Sequence, residues 1–264
     1  MRRGLLVCAL LLAAGPAQAA VKTEAVEYRD GDTVMEGYLA YDDAAAMTQP
    51  GILIAHEWMG LGDYTKRRAR QLAALGYVAF AADLYGKGVY AKDHDEAGQL
   101  SGALFGDRAR MRGRILAALD VLKHHPRVDA ERLGAIGYCF GGAAVLELAR
   151  AWADVDAVVT FHGALKTPAP AEPGAVKAKI LVLHGADDPH VSQDQVNAFE
   201  QEMTRAGADY RVIQYPGAVH SFTVPEAGND PSQGVAYNPK ADAQSWDAML
   251  ELFDQVFARR VPTA

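Results

Sequence analysis

Short apolar runs alternate along this chain with longer stretches of helical period, and that alternation restricts its fold more than any other feature. Residues 51–55, 77–82, 132–138, 155–161, 179–183 and 210–215 are strand-sized and mostly apolar. Several are apolar without interruption, the mark of strands buried on both faces. Between them, residues 63–75, 142–151 and 193–206 read as helices. So does the segment in which Met111, Ile115, Leu119 and Leu122 share one face before Pro126 ends it. Residues 237–259 form a long amphipathic closing helix. Strands separated by helices of this size pair in parallel through crossovers. The expected class is therefore α/β, a mostly parallel central sheet with helices on both faces. Residues 24–28 and 34–41 flank Asp30-Gly31-Asp32 and predict an N-terminal hairpin. Residues 86–106 are polar and glycine-rich and receive no element, and the Pro/Ala-rich stretch 167–175 reads as a surface loop.

The first 19 residues have the three-part form of a secretory leader. Arg2 and Arg3 precede an apolar run from Leu5 to Ala14, and Ala17-Gln18-Ala19 offers a small-x-small cleavage site. That run is about 10 residues, half of what a membrane span needs. The expectation is an exported protein, periplasmic or secreted, whose mature part is one domain over residues 20–264 without membrane insertion. Cys8 lies within the leader, but Val7 before it is not the small residue a lipidation signal requires. The net charge of −7 and the lack of a basic run argue against nucleic acid as a partner. Of the two cysteines only Cys139 would survive cleavage, so no internal disulfide is possible.

Cys139 sits in Gly137-Tyr138-Cys139-Phe140-Gly141-Gly142, between a strand-like and a helix-like run. Small residues around a nucleophile at such a turn permit a sharp elbow that exposes the side chain beside the helix N-terminus. Positive partial charge there favours a thiolate. A thiol nucleophile needs a base and a group that orients it. The chain then offers Asp187 or Asp188, and later His220, each in a loop after a strand. Nucleophile, acid, histidine is the order of an α/β-hydrolase. Asp188 is preferred because Asp188-Pro189-His190-Val191 resembles the loop carrying the acid in that fold. His162 and His184 precede the acid in sequence, and His190 is too close to it, so His220 is the expected base. Oxyanion donors are expected from the N–H of Phe140 and from the N–H of Trp58 in His56-Glu57-Trp58-Met59-Gly60. Glu57 is, from spacing alone, either a solvated loop acid or a carboxylate held near the thiol.

These pieces, with Ala82-Asp83-Leu84-Tyr85 and His220-Ser221-Phe222, resemble the dienelactone hydrolase family, the cysteine branch of the α/β-hydrolases, over most of the chain from about Gly51 onward. The resemblance implies a triad of Cys139, His220 and Asp188, with Glu57 contacting the resting thiol. It implies attack on an ester or lactone carbonyl through a thioester acyl-enzyme. The family's best-known members, which open dienelactones carrying a carboxylate, grip that carboxylate with two arginines. This chain has Thr223-Val224-Pro225 at one of those places and no arginine in residues 87–106 at the other. With Trp58, Tyr85, Tyr138, Phe140 and Phe222 as the expected aromatic lining, the reading favours a neutral or weakly anionic ester or lactone. No metal or organic cofactor is implied: Gly60 stands where a zinc-protease motif beginning at His56-Glu57 needs its second histidine. Two readings compete, a redox protein using its lone thiol and a binding protein on a decayed hydrolase fold.

Overall fold

Continuous apolar runs become the middle of an eight-stranded sheet in the computed structural model, which describes residues 21–258. The leader, Cys8 and Arg259 lie outside the described residues. The hairpin pairs β1 (Val21–Asp30) with β2 (Thr33–Asp42), and Gly31 turns it at a φ of 55°. After it come β3 (Gln49–Ala55), α1 (Asp63–Ala74), β4 (Val78–Ala82), α2 (His94–Gly106) and α3 (Arg108–Lys123). The second half contains β5 (Val128–Tyr138), α4 (Phe140–Arg150), β6 (Ala157–Phe161), β7 (Lys179–Gly185), α5 (Gln193–Ala206), β8 (Tyr210–Tyr215) and α6 (Pro239–Phe257).

The sheet order is β1-β2-β4-β3-β5-β6-β7-β8. Strands β4 through β8 in that order pair in parallel, while β1 and β2 are antiparallel additions at one side. Period-two alternation divides each central strand between two cores. Ile52, Ile54, Ile136 and Val159 pack with α1 and α6, whereas Leu53, Ala135, Val158 and Val182 pack with α3, α4 and α5. From β3 the chain goes one way to β4, and from α3 it returns to β5 on the other flank of β3. The strand order thus reverses between β3 and β5, and a crevice opens at their carboxyl ends. No helix among the described residues is long and apolar enough to cross a membrane.

The structure corrects the sequence reading in one element. Residues 94–106 form a full helix, α2, despite Gly98, Gly102 and Gly106. Asp93 caps it by accepting from the Glu96 N–H at 2.9 Å, and Ala97, Ser101 and Leu104 bury one face at helical spacing. Capping and burial offset the poor propensity of the glycines.

Candidate active site

The turn from β5 into α4 is as tight as glycine permits. Cys139 adopts φ 53°, ψ −115°, a conformation L-residues rarely occupy. Its N–H donates to the carbonyl of Phe161 at 3.1 Å, tying the elbow to the end of β6. A Cβ on Gly137 would lie 2.1 Å from the Gly141 oxygen, and one on Gly142 would lie 2.1 Å from Thr160 Oγ1. The glycines flanking the thiol are therefore required for close approach. They let α4 begin at Phe140 against the strand ends, and Cys139 remains partly exposed.

Opposite the sulfur stands His220, in the loop after β8. Its Nε2 lies 3.1 Å from Cys139 Sγ, and its Nδ1 donates to Asp188 Oδ2 at 2.8 Å. The backbone around His220 is held on both sides: its N–H donates to the Gly234 carbonyl and its carbonyl accepts from the Ala236 N–H, each at 3.1 Å. Asp188 is fixed in turn. Its Oδ1 accepts from the N–H groups of His190 at 2.8 Å and Val191 at 3.3 Å. Asp187 turns away, accepting from the Gly217 N–H at 3.1 Å, so of the two neighbouring acids it is Asp188 that reaches His220.

Charge follows geometry. Burial pulls His220 down, but Cys139 and Asp188 beside it push it further up, to about 10. Burial likewise pushes Asp188 up, and the hydrogen bonds from His220 and His190 outweigh that and hold it below the ordinary carboxylate range. Such a series can take a proton from sulfur and keep the resulting imidazolium in place.

Glu57, at the end of β3, is raised by burial to about 7, against a weaker opposing pull from His220. The hydrogen-bond partner of Sγ is His220 rather than Glu57, so the thiol contact implied for this acid is absent from this arrangement. The Glu57 carbonyl accepts from His56 Nδ1 at 2.5 Å, and His56 Nε2 accepts from the Leu84 N–H at 3.1 Å, which makes His56 a neutral buried tie. The next peptide is oriented by Tyr85, whose hydroxyl donates to the Trp58 carbonyl at 2.8 Å. Among the described residues, no turn or loop backbone hydrogen bond uses the N–H of Trp58 or Phe140.

A cleft of about 590 Å³ opens over Cys139 and His220. Trp58, Phe105, Phe140, Val191 and Val235 make it apolar, with His94, Ser101, His190, Ser221 and Gln233 among its polar members, and no Lys, Arg, Asp or Glu lines it. Three expected lining residues are elsewhere. Tyr138 and Phe222 are fully buried in the α1/α6 core, packed on Phe161 and Tyr215 respectively. Tyr138 ends β5 with its side chain on the face opposite to α4, and Phe222 follows the strained Ser221, at φ 56°. Tyr85 supports Trp58 from below without lining the cleft. Sequence reasoning missed His94, whose ring lies 5.2 Å from that of Trp58, and Ser101 and Phe105, all on the unassigned α2. It also passed over His190 as a pocket group, although its ring meets His220 edge-on at 5.1 Å. Gln233 and Val235 come from a loop with no motif to announce it. Among the described residues no group of His, Cys, Asp and Glu is arranged to hold a metal.

An elbow at the central strand, an acid after β7 and a histidine after β8, linked in series at the strand-order reversal, define an α/β-hydrolase. The model of the dienelactone hydrolase family matches residues 35–257, and the chain belongs to that family. It is a hydrolase acting on esters or lactones. A protein of Aquifex aeolicus named as a carboxymethylenebutenolidase is 30% identical over 234 residues, covering 86% of this chain and 96% of its own. The solved structure of m3DLH is 43% identical at a TM-score of 0.87, covering 90% of this chain and 99% of that one. A dienelactone hydrolase-like promiscuous phosphotriesterase from metagenomic libraries is 41% identical at a TM-score of 0.85, with the same coverage of 90% and 99%.

Proposed function

We propose that this protein hydrolyses uncharged carboxylic esters or lactones through a Cys139, His220, Asp188 triad and a thioester intermediate. The observation that carries the reading is the series Sγ, 3.1 Å, His220, 2.8 Å, Asp188, at the floor of an apolar cleft. His220 holds the proton drawn from the thiol, and sulfur attacks the carbonyl carbon as the thiolate. The oxyanion is received by the N–H groups of Phe140 and Trp58, both free of loop hydrogen bonds. The tetrahedral adduct collapses, the C–O bond breaks, and His220 returns the proton to the departing alkoxide. Water, deprotonated by His220, then attacks the thioester carbonyl and releases the carboxylic acid and the thiol. Asp188 fixes the ring and its charge throughout. Glu57 stands at the site as a carboxyl group that titrates near neutrality.

Cys139→Ala and His220→Ala are expected to lose at least ~1000-fold in kcat on p-nitrophenyl acetate while remaining folded by circular dichroism. Full activity in either variant would refute the assignment. The Asp188–His220 pair supports hydrolysis over a redox role, which needs no acid there. A phosphotriester is a second reading, favoured by a cleft with no Lys, Arg, Asp or Glu in its lining, because a neutral phosphoryl centre would meet the same thiol and donors. Its test is paraoxon turnover that vanishes in Cys139→Ala. We further propose export of the mature chain beginning at Ala20, supported by the arginines, apolar run and small-residue site before it. Terminal sequencing of the protein from a periplasmic extract tests that, and an N-terminus at Met1 would contradict it.

A further inference from the structure

Behind His220, on the α1/α6 side of the sheet, a polar string runs through an otherwise apolar core. It starts at Arg68 of α1, whose side chain is 8% exposed and which can only donate. Arg68 donates to the Thr223 carbonyl at 3.0 Å, to Tyr64 Oη at 3.2 Å, to Gln71 Oε1 at 3.2 Å and to Asp242 of α6. Tyr64 Oη lies 2.6 Å from Thr223 Oγ1, and that oxygen lies 2.8 Å from His162 Nε2. Tyr64, Thr223 and His162 are all buried. The His162 ring meets His220 edge-on with centroids 5.2 Å apart and meets Phe222 at 5.3 Å. His162 itself is held in a left-handed conformation, φ 40°, with its N–H donated to the Leu183 carbonyl at 2.8 Å.

Four features of this string bear on the reaction. Thr223 is three residues beyond His220, and both its carbonyl and its hydroxyl are engaged, so the loop carrying the base is anchored to α1. A positive φ at His162 is a strained backbone state that the surrounding structure must hold in place. The Thr223 hydroxyl holds the His162 ring through Nε2 at 2.8 Å, beside a histidine that must carry a proton. None of these residues lines the cleft.

We propose that Arg68, Tyr64, Thr223 and His162 are a positioning unit for His220, holding its ring in simultaneous reach of Cys139 and Asp188. The unit acts from behind the base and touches no substrate. It rests on the triad reading above. The titratable groups facing His220 are Cys139 of the elbow, Asp188 and His190 of the loop after β7, and His162 of β6's end, with His184 and Glu57 within electrostatic range. Burial, His220 and Arg68 together keep His162 well below the ordinary histidine range, consistent with its neutral role.

Thr223→Val keeps the shape and removes the hydroxyl that joins Tyr64 to His162. Three readouts apply: kcat and KM for p-nitrophenyl acetate, the pH profile of Cys139 alkylation by iodoacetamide, and thermal midpoint. The expected result is a kcat lowered roughly 10- to 100-fold with KM within about 2-fold. The alkylation profile is expected to move to higher pH, because a loosened imidazole stabilises the thiolate less. Thr223→Ser should restore both. Tyr64→Phe breaks the same string one link away and should give the same pattern if Thr223→Val fails to fold. A lowered thermal midpoint with wild-type kcat and alkylation profile would overturn the proposal, leaving the string a purely structural tie. Esterase activity surviving in Cys139→Ala would overturn the triad reading instead, and this proposal with it.

Discussion

A glutamate whose carboxyl titrates near neutrality sits within electrostatic reach of the base at this site, and folding stability must register it. Burial raises Glu57 from an ordinary 4.5 to about 7. Between those values the folded protein keeps a proton that the unfolded chain has released. Stability therefore falls as pH rises through that window and stays reduced above it, by about 3 kcal/mol. Glu57→Gln removes the cost. Urea unfolding at pH 4 and pH 8 should find the variant equal to wild type at the lower pH and more stable at the higher one. Equal midpoints at both would show that Glu57 is solvated. At this scale the sequence was informative about chemistry and poor about direction. Cys139, Asp188 and His220, which lie within hydrogen-bond reach of one another in series, were legible because a triad demands particular residue types just past strand ends. Tyr138 was misread because neighbours in sequence along a strand face opposite sides of the sheet, and adjacency to the nucleophile hides that.

Helix α2 forms one wall of the cleft, contributing His94, Ser101 and Phe105. Its glycines defeat sequence reasoning, since each costs up to about 1 kcal/mol relative to alanine in a helix interior. What holds it is tertiary: an aspartate cap and three buried residues on the inner face. Gly98 and Gly102 face open space, with nothing within 4 Å of an added Cβ. Gly98→Ala with Gly102→Ala should therefore raise stability by about 1–2 kcal/mol, read from the urea midpoint. A loss of stability would mean that the outer face of α2 is occupied in the folded protein. The parallel strands and their helices were legible, by contrast, because continuous apolar runs separated by amphipathic ones admit few other arrangements.

For the whole molecule, the crevice where strand order reverses gathers residues distant in sequence, from the loops after β3, β5, β7 and β8 and from α2. That gathering is why the cleft's lining could not be read from motifs alone. Its consequence is a pocket lined by no Lys, Arg, Asp or Glu in a chain of net charge −7. The Thr223 side chain is turned into the α1/α6 core, where its hydroxyl meets Tyr64 and His162. A carboxylate on the substrate would be desolvated here with no arginine or lysine to meet it, which is costly. Matched neutral and carboxylate-bearing aryl esters should differ in kcat/KM by at least ~10-fold in favour of the neutral one. Equal values would place an unrecognised cation at the site.

Acid quenching during turnover of p-nitrophenyl acetate, followed by peptide mass spectrometry, asks directly whether sulfur carries the acyl group. The peptide containing Cys139 should gain one acetyl group as a thioester, and His220→Ala should not accumulate it. An acetyl group on any other residue, or undiminished turnover by a protein whose Cys139 has been alkylated, would contradict the mechanism.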